Sequence, residues 1–268
     1  MKKLSIIIAS ALCLVLAASC GQRNKAAEQE NPETKTEAQI QAEALIKVHL
    51  DSLANELVKI NPVGILGSVK DGKIVLSDKE KQVKPEYLAD PAIANDLQTL
   101  SQKYRAIAVI AIDSEIAKLY GMPVDSYNAA LAKLYSDVND PALKAFSEGM
   151  ELKESINSFY EESKKNEREN LFWETVSAAL VEQMFIVSQN SDKFIAAFDD
   201  QSVTDFTWDV VLLTLAVEDL ANVDSEYAYL NETIQPLTKI DAISVDQFKG
   251  QLDALKSEME VSRATLLK

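Results

Sequence analysis

The sequence predicts an all-α protein, a single helical bundle of about seven or eight helices with an irregular Gly- and Pro-containing segment at residues 63–90. Three observations lead there. Seven glycines and seven prolines in 268 residues are few for a loop-rich or β fold. Ala, Leu, Glu, Lys, Gln and Ser dominate, which is the composition of helices. Apolar residues recur at three- and four-residue spacing through most of the chain.

The first helix is expected to start at Asn31-Pro32-Glu33, which offers an N-cap, a proline at the first helical position and an early acid. Ile46, Leu50, Leu53, Leu57 and Ile60 form its apolar stripe, and Asn61-Pro62 closes it. Residues 63–90 carry Gly64, Gly67, Gly72, Pro85 and a charged run at 78–84, so a lid or recognition loop is expected here. Residues 64–68 and 73–76 flank Asp71-Gly72 and suit either a small hairpin or a loop.

A second helix is expected over residues 91–120. Its run from Ala106 to Ile112 is apolar on every side, the mark of a helix at the centre of a fold. Gly121-Met122-Pro123 breaks it. A third helix, 124–138, stops at Asn139-Asp140-Pro141. Residues 141–189 read either as two helices or as one bent near 164–169, with Trp173, Val176, Leu180, Met184 and Val187 in an apolar row. A short helix at 194–198, others at 202–221 and 225–234, and a last one capped by Ser244 or Asp246 complete the bundle. Nothing recurs at a period near 34 residues, which argues against a helical solenoid.

The N-terminus has a different character. Lys2 and Lys3 precede an apolar run over residues 4–18 that ends in Leu16-Ala17-Ala18-Ser19-Cys20. This is the pattern of an export signal, too short for the roughly 20 apolar residues of a membrane span. The stretch resembles the signal of bacterial lipoproteins, with Ala17 where their lipobox usually has a large aliphatic residue and Leu16 one step further back. The resemblance implies a signal peptide at 1–19, cleavage before Cys20, and acyl chains (palmitate or similar) on Cys20 as membrane anchor. Residues 20–31 are polar and read as a flexible tether, leaving 32–268 as a single all-α domain. Gly21 stands where an aspartate would favour inner-membrane retention, so the expected location is the outer membrane. With no acidic run after Cys20, the expected orientation faces the periplasm.

Loss of residues 1–19 removes two lysines and no acid, taking the net charge from −15 to about −17. So acidic a chain repels nucleic-acid phosphates, and no nucleic-acid partner is expected. Cys13 leaves with the signal and Cys20 is acylated, so the mature domain holds neither disulfide nor free thiol. His49 is the only histidine and sits at the edge of the first helix's stripe, where a tucked or boundary imidazole is expected. One histidine and no thiol cannot assemble a His-rich zinc site or a Ser-His-Asp or Cys-His centre, so no metal, cofactor or catalytic residue is expected. The Gly-x-His-x-x-Glu motif of imelysin-type lipoproteins is not matched by Lys47-Val48-His49-Leu50-Asp51-Ser52.

Carboxylates remain. Asp199, Asp200, Asp205 and Asp209 crowd together but lack the spacing of a calcium loop, so helix capping and a solvated acidic face are expected. Asp113 and Glu115 follow the all-apolar run, and Glu182 lies within another apolar stretch. Glu115 and Glu182 are the candidate buried polar residues, with Arg105, Lys118 or Arg168 as possible partners. The succession from Lys103 to Glu115, Asn166-Glu167-Arg168, and Leu180 to Phe185 resembles a family of uncharacterised all-helical bacterial lipoproteins. That family's glycines and tryptophan are replaced here by Ile110, Gln183 and Leu180. The resemblance implies an all-α fold and no particular activity.

The function expected from the sequence is a non-enzymatic, membrane-anchored binding or assembly module of the bacterial cell envelope. Its partners are the lipid bilayer, through Cys20, and an envelope protein. One alternative is a carrier of a small apolar ligand held between helices, its pocket lined by Ile107, Ile110, Met184 and Phe185 with Glu115 or Glu182 at one end. A carboxylate-dependent hydrolase with two acids facing across an open cleft is the other.

Overall fold

The computed structural model describes residues 36–60, 64–143 and 152–268, so the expectations for the signal, Cys20, the tether and the Asn31-Pro32-Glu33 helix start lie outside the described residues. By packing, the chain divides into Met1–Ile40 and Gln41–Lys268, and all the described elements belong to the second unit except the start of the first helix. The fold is all-α, with eleven α-helices and no strand among the described residues. The count exceeds the seven or eight expected, and three of the helices are short.

Helix α1 (Glu37–Leu57) starts where the Gln39 N–H donates to Thr36 Oγ1 and the Thr36 N–H to Gln39 Oε1. Its Ile46, Leu50, Leu53, Ala54 and Leu57 are buried, while Asp51 accepts from the Tyr160 hydroxyl at 2.6 Å and pairs with Lys164 at 2.7 Å. Residues 64–90 form no hairpin. Instead α2 (Ile65–Lys70) takes up the first strand candidate, burying Ile65 and Ser68 on one face, and Gly72 turns the chain with φ 70°. The second candidate is an irregular strap that buries Ile74 and Leu76 without a partner strand, and α3 (Asp78–Gln82) follows, capped by Ser77.

The helix expected over 91–120 is two elements. Asp90 accepts from the Ala92 N–H, and Pro91–Asn95 form a separate 3-10 turn. Thr99 and Gln102 then make a capping box that starts α4 (Leu100–Leu119). Helix α5 (Asp125–Val138) ends on Asn139, which takes the left-handed conformation at φ 46°. Helices α6 (Leu152–Lys165) and α7 (Glu169–Gln189) are separated at residues 166–168, where Glu167 is left-handed at φ 55°; of the two readings left open, two helices is the one found. The short α8 (Ser191–Phe194) leads to α9 (Asp200–Val223), α10 (Ala228–Thr238) and α11 (Val245–Leu266), the last capped by Ser244.

At the centre α4 and α7 pack along each other, with α11 and α6 against α7, α5 against α4, and α10 between α9 and α11. Helix α7 is the one described helix long and apolar enough to cross a membrane, yet that stretch is 89% buried inside the protein. It is a core helix in this fold. Tyr104, Phe159, Tyr160, Phe172 and Trp173 join α4, α6 and α7 in one aromatic cluster, with ring centroids 5.1 to 6.1 Å apart. A second cluster sets Phe248 of α11 between Phe198 and Phe206 at 5.0 and 5.1 Å.

Two glycines of the irregular segment separate packing from propensity. A Cβ on Gly64 would lie 1.8 Å from Gln183 Oε1, the atom that accepts from the buried Ile65 N–H at 3.0 Å, whereas a Cβ on Gly67 meets nothing within 4 Å. Gly64→Ala is therefore expected to destabilise the protein by about 1–3 kcal/mol, the cost of an unsatisfied buried donor. Gly67→Ala, inside α2, is expected to stabilise it by about 0.5–1 kcal/mol. Urea unfolding of the two variants checks both signs.

Candidate functional site

Small residues leave space between the two central helices. Ala108 and Ala111 of α4 and Ala179 of α7 line an apolar cavity of about 180 Å³, completed by side chains such as Leu57, Ile107, Tyr135, Phe159 and Val176. The pocket expected for a ligand carrier included Ile107, which does line this cavity. Ile110, Met184 and Phe185 do not, because they are buried in the core around it. Neither Glu115 nor Glu182 closes one end.

The polar groups on the wall are Thr175, Gln183, Tyr135 and Asp209. The Thr175 hydroxyl donates to Leu171 O at 2.7 Å within α7, and Gln183 Oε1 accepts from Ile65 N–H, so both are engaged in holding the fold. Burial pushes the Tyr135 hydroxyl above its ordinary range. Asp209 is only 9% exposed, and no hydrogen bond or ion pair reaches it among the described residues. Burial, with the Asp205 charge one turn earlier, pushes its carboxyl up from the ordinary 3.8 to about 8. The other acids of this stretch do behave as caps and surface groups. Asp199 accepts from the Ser202 N–H, Asp200 from the Val245 N–H, and Asp205 from Gln201.

A second polar centre lies away from the cavity. Arg263 of α11 donates to Asp113 Oδ2 at 3.2 Å and to Glu182 Oε2 at 3.1 Å, its guanidinium 5.0 Å over the Phe185 ring, and the Ala89 N–H donates to Asp113 at 2.7 Å. Both acids are fully buried. Burial pushes Glu182 well above the carboxylate range and the neighbouring Asp113 charge adds to it, whereas the Ala89 N–H and Arg263 restrain the rise at Asp113. Burial thus favours the protonated form of Glu182, while Arg263 and the Ala89 N–H favour the charged form of Asp113. Two acids sharing a proton can do acid–base chemistry, but these two have no exposed surface on which to meet a substrate.

The remaining candidates have other partners. Glu115 is not buried: its side chain is 27% exposed and pairs with Lys118 at 2.7 Å, because one turn beyond the apolar run that face of α4 reaches the surface. Arg105 binds Glu174 at 2.6 Å and Leu266 O at 2.9 Å, while Tyr229 and Ser101 complete the Glu174 carboxylate. Arg168 binds Asp140, which also accepts from the Tyr104 hydroxyl. His49 is a boundary residue, its ring half-buried and bonded to Asp219 of α9. Sequence reasoning missed Arg263 as the partner of Glu182, and missed Asp209 as a buried acid. Its position one turn from Phe206 and next to Val210 was the only signal that Asp209 faces inward. Among the described residues no cluster of His, Cys, Asp and Glu could hold a metal ion.

The chain matches no protein-family model, and no curated protein and no solved structure is recognisably similar to it.

Two measurements test these assignments. Because the folded value of Asp209 lies above its ordinary one, its contribution to stability is complete below about pH 4 and is lost as the pH rises through about 8. Asp209→Asn is expected to match the parent near pH 4 and to exceed it at pH 9 by on the order of a few kcal/mol, read from urea unfolding at both pH values. At pH 7 Glu182→Gln, which imitates the protonated acid, is expected within about 1 kcal/mol of the parent. Arg263→Met, which leaves the buried acids uncompensated, is expected to cost about 3–5 kcal/mol; equal losses in the two variants would contradict a protonated Glu182.

Proposed function

We propose that this protein is a lipid-anchored module of the bacterial cell envelope that binds a small apolar ligand between its central helices. The cavity carries this reading: about 180 Å³ of space walled by apolar side chains, at the seam of the two most buried helices. An apolar cavity of about 150 Å³ suffices to take up benzene from water, so the ligand is of the size of a substituted aromatic ring or a short branched chain. The anchor rests on the resemblance of residues 1–20 to lipoprotein signals, and it would hold the binding domain close to the outer-membrane surface. A protein partner is the second reading, favoured by the exposed apolar row of Trp208, Val211 and Leu215 on α9.

Thermal unfolding tests the first reading. Propylbenzene near saturation is expected to raise the Tm of the parent, since ligand at about 100 times Kd adds about 2.7 kcal/mol. Ala179→Leu, which fills the cavity, is expected to unfold at or above the parent's Tm and to lose the response. A parent that responds to no aromatic probe of this size, neutral or charged, removes the ligand reading and leaves the α9 row, to be probed by crosslinking from position 208 in the intact envelope.

A further inference from the structure

Asp209 is the one acid among the described residues that line the cavity. Thr175 and Gln183 are engaged with the backbone of the fold, but Asp209 is about nine-tenths buried, lines the wall and has no partner among the described residues. A buried acid is ordinarily paired or hydrogen-bonded, because an unpaired one costs stability. None of the residues lining the cavity is a lysine, arginine or histidine. The charge that acts on Asp209 is that of Asp205, of the same sign, on the same helix. Tyr135 is the other titratable group on the wall. The site therefore presents an apolar body-sized space, the aromatic side chains Tyr135 and Phe159, and an acid with no cation to pair with.

Ligand chemistries differ in how well they complete this arrangement. A hydrocarbon would fill the space and leave Asp209 unpaired. An alcohol or amide would add one hydrogen bond. A protonated amine would add a charge-assisted hydrogen bond and balance the carboxylate charge, in surroundings where both count for more than in water, and aromatic rings favour a nearby ammonium. Resting on the apolar-pocket reading above, we propose that the natural ligand is a small organic amine, an apolar body of about seven to nine non-hydrogen atoms carrying one ammonium group that pairs with the Asp209 carboxylate. Because Asp209 holds its proton near neutral pH in the empty protein, amine binding releases a proton from it.

Calorimetric titration of the purified protein at pH 7 with three probes of matched shape tests this: 2-phenylethylamine, 2-phenylethanol and propylbenzene. The amine is expected to bind at least about tenfold more tightly than either neutral probe, with proton release visible as a heat that depends on the buffer. Asp209→Asn is expected to weaken the amine by at least about tenfold and to leave propylbenzene within about twofold, while Ala179→Leu abolishes binding of all three. If a neutral probe matches or exceeds the amine, or if Asp209→Asn leaves the amine unchanged, the amine proposal is overturned and the apolar-pocket reading stands. If none of the three binds the parent protein, both are overturned.

Discussion

The fold depends on the packing of α4 against α7, two helices that are apolar around most of their circumference and are covered on nearly every side. A helix of this kind has no solvent-facing stripe on which polar residues can be placed without consequence. Its buried charged side chains find their partners in neighbouring helices, so these few groups decide how the outer helices dock. Arg105 and Glu174 draw in Tyr229 of α10 and the carbonyl of Leu266 near the C-terminus, while Asp113 and Glu182 draw in Arg263 of α11. The last turns of the C-terminal helix are thereby fixed to both members of the central pair. Apolar area supplies the driving force for the assembly, and these buried pairs select the register in which it occurs.

The same reasoning explains what could be seen in the sequence. All-round apolar runs and helical stripes are local patterns, so the fold class, the central position of residues 106–112 and the stops at Gly121 and Asn139 were legible. Breaks made by side-chain caps were harder to see, because Thr99 with Gln102 competes against a helical pattern that continues through it. Pairings across the fold were not legible at all. Lys118 and Arg168 are close in sequence to the candidate acids, but 81 residues separate Glu182 from the arginine that binds it. Of the two candidate buried acids, Glu115 shows how sharply a helix can pass from core to surface within one turn: Asp113 is fully buried, and two residues later the side chain reaches Lys118.

The cavity has a comparable origin. Where a bulky residue on one helix faces another helix, the pair interdigitates; Ala108, Ala111 and Ala179, which line the cavity, are too short to fill it. Composition conceals this, since alanine is also the best helix former and its abundance reads as propensity alone. The apolar walls it leaves uncovered cost stability, and three alanines that could each be enlarged leave it open.

Asp209 adds a second cost at the same place. The start of the helix that carries it uses its acids conventionally, as an N-cap, a contact to the start of α11 and a surface pair with Gln201, so acidic composition alone does not account for an acid turned inward. The central acids meet the penalty of burial by pairing, with Glu174 and Asp113 each held by an arginine and a hydrogen-bond donor. Asp209 stands outside that pattern. Rules of local consistency fail most often where a protein does something other than fold, and here an unfilled space and an unpaired acid fail together on one wall. A ligand that fills the one and pairs with the other would relieve both costs on binding, which couples its affinity directly to the stability that the empty protein forgoes.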